Sequence, residues 1–302
     1  MNAPAKLGAF GFGLAAVFGA ALGAGHLTGP TGAGAATTHQ TPTGTGHEAM
    51  APMGSRPGGL LVTDRGYTLT TTPAAAGEFA FRIDGPDGRP VTAFDIEHGK
   101  RMHLIIVRRD LSGFRHVHPR MSGDGTWRIT APMSGPGTYR AFADFRPTGA
   151  MPLTLGVDAT VPGKTTERPL PAPAATTIVD GYTIHLGGTL EAGRTSELVL
   201  TISRDGRPVT DLQPYLAAYG HLVALRQGDL AYLHVHPDGA PGDGSTRSGP
   251  AITFHAEVPS AGTYRLYLNF QHEGTVHTAE FTAVAGGLAA MPPASGTGGH
   301  QH

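Results

Sequence analysis

His221-Leu-Val-Ala-Leu-Arg-Gln-Gly-Asp-Leu-Ala-Tyr-Leu-His-Val-His-Pro237 sets two mainly apolar runs on either side of Gln227-Gly228-Asp229. A two-residue turn at Gly228-Asp229 is a strong hairpin signal. The register it implies puts His221 opposite His236. Side chains alternate along a strand, so His234 shares their face and is a diagonal neighbour of His221. His103 to Pro119 reads in the same way. With its turn at Asp110-Leu111, His103 faces His118, and His116 joins them. Each copy therefore predicts a hairpin that turns three imidazoles toward one patch.

The hairpin is part of a longer repeat. Gly88-Arg-Pro-Val-Thr92 returns as Gly206-Arg-Pro-Val-Thr210, and His116-Val-His-Pro119 as His234-Val-His-Pro237, at one common offset of 118. Gly137-Thr-Tyr-Arg140 returns as Gly262-Thr-Tyr-Arg265 at an offset of 125, which assigns the second copy a longer loop after Pro237. Phe79–Ile83, Trp127–Ile129, Tyr139–Phe142, Leu198–Ile202 and Tyr264–Phe270 have strand composition. Asp84-Gly-Pro-Asp-Gly88 and Arg204-Asp-Gly206 are turn chemistry. Short strands at regular spacing with Gly/Pro turns predict an all-β chain of two tandem Ig-like or cupredoxin-like β-sandwiches. The expected layout is an export segment or membrane anchor over 1–27 and a Gly/Thr/Pro tether over 28–58. The first sandwich follows over 59–163, a linker over 164–175, the second sandwich over 176–285 and a His-bearing tail over 286–302.

Composition agrees. The chain has 302 residues with Gly 45, Pro 25 and 15% charged residues, which suits strands and turns rather than long helices. A formal charge of −1 argues against nucleic acid as a partner. With no Cys, disulfides, thiolate metal sites, a blue-copper centre and a Cys nucleophile are excluded. Sixteen His is the unusual count.

Residues Leu7 to Leu27 carry no charge and follow Lys6. This is either an uncleaved single-pass anchor with its cytoplasmic end first or the core of a signal peptide. Both readings put the rest of the chain outside the cytoplasm, at the cell membrane or secreted.

Paired triplets give two readings. In one, His103, His116 and His118 bind one ion, and His221, His234 and His236 bind another. Three adjacent imidazoles repel when protonated and cost energy when buried unpaired, and shared ligation removes both problems. In the other, the clusters are hydrogen-bonded supports for the turns before Pro119 and Pro237. Asp144 and its counterpart Asn269 read either as a fourth ligand or, preferred because Asn is a poor anionic ligand, as acceptors for imidazole N–H groups. Met102 points to the opposite face, toward the core. His98, His185, His255 and His277 occur in one copy only and read as surface or strand polar residues.

All-imidazole sites suit copper or zinc, and the missing thiols favour copper, with zinc as the alternative. The export segment, the duplicated sandwich and the His-Leu…His-Val-His-Pro pattern resemble actinobacterial exported or membrane-anchored proteins, whose domains are similar to the YtkA-like and CopC-like copper-associated β-sandwich group. The resemblance covers about residues 60 to 285 and implies copper binding. The expected function is extracytoplasmic metal storage, buffering or delivery, with a copper-handling envelope protein as partner. A non-metal envelope interaction module is the alternative. No general acid–base pair or Ser-His-Asp pattern accompanies the triplets, so an enzyme is not expected.

Overall fold

The computed structural model describes residues 56–130 and 132–286. The export segment expected over 1–27, nearly all of the tether and nearly all of the C-terminal tail lie outside these described residues. Within them no helix is long and apolar enough to cross a membrane.

The first repeat forms β1 (Thr63–Asp64), β2 (Tyr67–Thr71), β3 (Glu78–Asp84), β4 (His103–Arg108), β5 (Arg115–Val117), β6 (Arg120–Met121), β7 (Trp127–Thr130), β8 (Gly137–Phe145) and β9 (Leu153–Val161). The second forms β10 (Thr176–Val179), β11 (Tyr182–Gly188), β12 (Arg194–Arg204), β13 (Arg207–Pro208), β14 (Gly220–Arg226), β15 (Tyr232–Leu233), β16 (Val235–Pro237), β17 (Ala251–Val258), β18 (Gly262–His272) and β19 (Thr275–Ala285). The all-β class and the tandem sandwiches are as the sequence predicts. The first sandwich stacks sheet β1-β2-β3-β7-β6 on sheet β5-β4-β8-β9. The second stacks β10-β11-β12-β17-β16, with β13 on β12, against β15-β14-β18-β19.

Each sandwich has its own core. Phe81, Ile83, Leu104, Ile106, Trp127 and Tyr139 centre the first, and Ile184, Leu200, Ile202, Phe254, Leu266 and Phe270 the second. The Gly-Thr-Tyr motif has the same job in both. Tyr139 donates from its hydroxyl to the Gly135 carbonyl at 3.0 Å, and Tyr264 to that of Ser260 at 2.8 Å, each four residues upstream. Such a corner ties the start of a strand to the turn that feeds it. Gly137 and Gly262 enter these strands at φ of 142° and 145°, where a side chain would be strained.

A third core joins the sandwiches, which belong to one compact unit. β4 and β14 are apolar on both faces. Leu104 and Ile106 point into the first sandwich, while Ile105 and Val107 meet Val223 and Leu225 of the second. The contacts are reciprocal. Phe114 stacks on Tyr267 at 4.0 Å between ring centroids, and their repeat counterparts Tyr232 and Phe142 meet at 5.6 Å. The two repeats thus pack as a pseudo-symmetric pair, the same patch on each facing the other. Leu111 and Leu230, at the hairpin turns, are buried in this seam with φ of 64° and 62°. A bulky residue in the left-handed region is strained, and here burial of the side chain between the sandwiches offsets that strain.

Candidate metal site

Both hairpins keep the register read from the sequence. Leu104 pairs with Val117 and Ile105 with His116 on β4 and β5, and Ala224 pairs with Leu233 on β14 and β15. The turns are longer than the two residues expected. Leu111 N–H bonds to the Arg108 carbonyl and Leu230 N–H to that of Arg226.

In the first repeat the triplet gathers. The ring centroids of His103, His116 and His118 lie 5.2, 5.1 and 5.0 Å apart. One ring nitrogen from each falls within 4.8 Å of the others. His103 is buried, and His116 and His118 are half-buried. The face they share is not free surface: His116 pairs with Ile105, whose side chain belongs to the seam. The cluster therefore sits where the sandwiches meet.

The second triplet does not gather in the simple way expected. β15 ends at Leu233, and the chain crosses to the other sheet, where β16 pairs with β17. His236 then faces His255 instead of extending the hairpin toward His221. In the first repeat the equivalent crossing comes only after Pro119, when β6 pairs with β7. β17 is 8 residues long against 4 for β7, so its edge reaches far enough to capture the second His-Val-His-Pro segment. His234 is exposed and its ring lies 4.0 Å from that of His236. His221 instead approaches the first triplet, 6.1 Å from His103 and 5.8 Å from His116.

Asp144 and Asn269 act across the seam. Asn269 Oδ1 accepts from His116 Nδ1 at 3.2 Å, and Asn269 Nδ2 donates to Thr278 Oγ1 at 2.8 Å. Asn269 thus serves the first repeat's histidine. Asp144 accepts from Thr154 at 2.9 Å, and burial raises its carboxyl pKa against the pull of that bond and of His234 in the second repeat. The relation between the two repeats is again reciprocal.

His98 was expected to be a surface or strand polar residue. It is exposed, but its ring lies 5.3 Å from His221 and 6.2 Å from His103. It stands at φ 46° in the turn closed by Glu97 and Lys100. Leu216 occupies the matching turn of the second repeat, so comparison of the repeats hid His98 rather than revealing it. Met102 is buried in the first core, as expected. His185 is exposed beside Thr176. His277 is a polar residue of strand β19, one of the two expected readings, and it is buried, with Nδ1 2.8 Å from Asp180. His272 is also buried, between the Tyr182 hydroxyl and Asp211.

The hydrogen bonds fix the His103 tautomer and, with Asn269 Oδ1 facing His116, that of His116. His103 Nε2 lies 2.9 Å from the Glu97 carbonyl, which can only accept, so this nitrogen carries the proton and Nδ1 keeps a lone pair. His116 donates from Nδ1 to Asn269 Oδ1, so its Nε2 keeps a lone pair. These two lone-pair nitrogens face each other at 3.0 Å. His118 Nε2 is buried with no hydrogen-bond partner. Turning the Asn269 amide over would put a proton between His103 and His116 but would still leave His118 Nε2 unpartnered. Burial, followed by the neighbouring imidazoles, holds His116 well below the ordinary histidine range and His118 at about 3. It also lowers His103, and it holds His221 at about 4. All four are neutral at pH 7 and able to ligate.

A tetrahedral centre with metal–nitrogen bonds of about 2.0–2.1 Å would place ligating nitrogens about 3.3 Å apart and imidazole centroids about 5.2 Å apart. The triplet's ring centroids, 5.0–5.2 Å apart, match that spacing, and its nitrogens lie within 4.8 Å of one another.

Because these histidines are neutral when folded and ordinary when unfolded, their contribution is fully present above about pH 6.5. It is lost as pH falls from there toward about 3, where the unfolded chain takes up protons that the folded one refuses. After discounting for partial exposure, the metal-free protein should lose about 2 kcal/mol in this window through His118. Urea unfolding in chelator at several pH values checks this. The slope should be shallower in His118→Gln, and an unchanged slope would refute it.

Two stretches, residues 61–162 and 176–287, match the family described as domain of unknown function (DUF8832). The chain belongs to that family. Its two copies coincide with the two sandwiches. Among curated proteins no match is found. Among solved structures the chain is similar to the S-layer protein rSbsC(31-844), with 12% identity over 70% of this chain and a TM-score of 0.22. The FN1-FN3 domains of chicken CNTN1 match at 8% identity, over 77% of this chain and 67% of that one, with a TM-score of 0.20. A Corynebacterium diphtheriae protein described as membrane anchored matches at 9% identity, over 74% of this chain and 59% of that one, with a TM-score of 0.20. The chain spans only 23% of the S-layer protein. Scores of this size carry no argument about function. The likeness to copper-associated domains expected from the sequence rests on the sequence motif alone.

Proposed function

We propose that this DUF8832 protein binds a metal ion, copper in the leading reading, outside the cytoplasm for storage, buffering or delivery. The observation that carries the reading is the convergence of three ring nitrogens: His103 Nδ1 against His116 Nε2 at 3.0 Å, with the buried, unpartnered His118 Nε2 of the same cluster. A buried polar atom without a partner costs about 1–3 kcal/mol, and a cation satisfies all three at once. All-imidazole ligation suits copper and zinc alike, and the absence of Cys favours copper. The site is set in a seam between two sandwiches, and its neutral imidazoles are free to ligate. An anchor or signal segment over 1–27 would put this site outside the cytoplasm.

The alternative is an envelope interaction module whose histidines are structural. Thermal unfolding of the full-length protein with Cu(I), Cu(II) or Zn(II), and with chelator, separates the two. The metal reading expects one tight ion per chain in the triplet and a higher Tm with the ion bound. Equal Tm with ion and with chelator would support the structural module.

A further inference from the structure

We propose that His221, carried by the second repeat, is the fourth ligand of the ion held by His103, His116 and His118, so that one ion joins the two sandwiches. This deepens the metal reading above and rests on it. Three imidazoles at tetrahedral spacing leave one position open. His221 lies next to it: its ring is 5.8 Å from His116 and 6.1 Å from His103, against 5.0–5.2 Å within the triplet. Drawing this ring in toward His103 and His116 as the ion binds would bring it to ligand spacing.

Three features hold His221 in place for this. It is the direct cross-strand partner of Asn269 on β14 and β18. Asn269 is hydrogen-bonded to His116, so the bond that orients His116 also sets His221 beside it. His221 Nε2 lies 2.9 Å from the Leu216 carbonyl, which puts the proton there and leaves Nδ1 with a lone pair. His103 is held in a similar way in the other sandwich, by the Glu97 carbonyl one position earlier in the matching turn. The two supporting turns also meet: a Cβ added to Gly99 would lie 3.9 Å from Leu216 Cα. His98 is exposed, and the triplet ring it approaches is that of His103, at 6.2 Å.

The consequence is that ion affinity depends on how the sandwiches dock, and docking on the ion. The test loads the full-length protein with one equivalent of Cu(I) or Zn(II), strips weak sites with a competing chelator, and counts imidazole ligands by X-ray absorption. Four are expected in the wild type. His221→Ala should show three, with affinity about 10- to 100-fold weaker and unchanged stoichiometry. His221→Gln, whose amide can keep the bond to Leu216, should show the same loss if His221→Ala fails to fold. His98→Ala should retain four. Three imidazoles in the wild type, unchanged in both His221 variants, would overturn the assignment, as would a loss in His98→Ala instead. A wild type that takes up no ion at the triplet would overturn the metal reading itself, a result distinct from these.

Discussion

The variant His116→Ala/His118→Ala should lose more than about a hundredfold in affinity for the tight ion, because it keeps only one imidazole of the triplet. The readout is competition for Cu(I) and Zn(II) with elemental analysis of the retained ion. Its metal-free stability should change little. Removing His118 deletes a buried nitrogen that has no partner, and that relief of about 1–3 kcal/mol offsets the cavity left behind. The ion's own stabilisation should vanish. At a free concentration a thousandfold above Kd, an ion that binds only the folded chain contributes about 4.1 kcal/mol, a Tm rise of about 10 °C for a unit of this size. The wild type should show that rise and the double variant should not. Equal binding in the two would sink the site.

The largest effect on stability is expected at the seam. Tyr267 is fully buried, stacks on Phe114 at 4.0 Å, and donates its hydroxyl to the Leu111 carbonyl at 2.5 Å. Tyr267→Ala should cost about 3–5 kcal/mol through the lost ring, with a further cost for the unsatisfied Leu111 carbonyl. Calorimetry should record a fall in Tm of about 10 °C or more. Tyr267→Phe isolates the hydrogen bond and should cost about 1 kcal/mol. Since β4 and β14 are held together by this seam, Tyr267→Ala should also weaken ion binding without touching a ligand. A variant as stable as the wild type would show that the sandwiches fold independently of their contact.

The repeat made the two sandwiches legible, and alternation along the hairpins placed His116 and His118 on one face with His103. Local rules sufficed because each hairpin's register depends on residues within a few positions of the turn. The seam also left a mark in the sequence. Leu104 to Val107 and Leu222 to Leu225 are unbroken apolar runs, the pattern of strands covered on both faces. That pattern predicts that a second layer packs on the sheet, and it is the signal that could have placed the histidines between two sandwiches rather than on one.

The amino-acid sequence alone determined the strands, the duplication and the first imidazole triplet, because these follow from periodicity and turn chemistry close along the chain. Only the tertiary structure decided the fate of the second triplet and the neighbours of the first. β16 leaves its hairpin because the long edge of β17 competes for its backbone hydrogen bonds. His221, Asn269 and His98 reach the site because the two sheets bury their apolar faces against each other. Both outcomes depend on contacts between segments distant in sequence; the apolar runs of β4 and β14 record that a second layer packs there, but no local pattern records which residues it brings to the site.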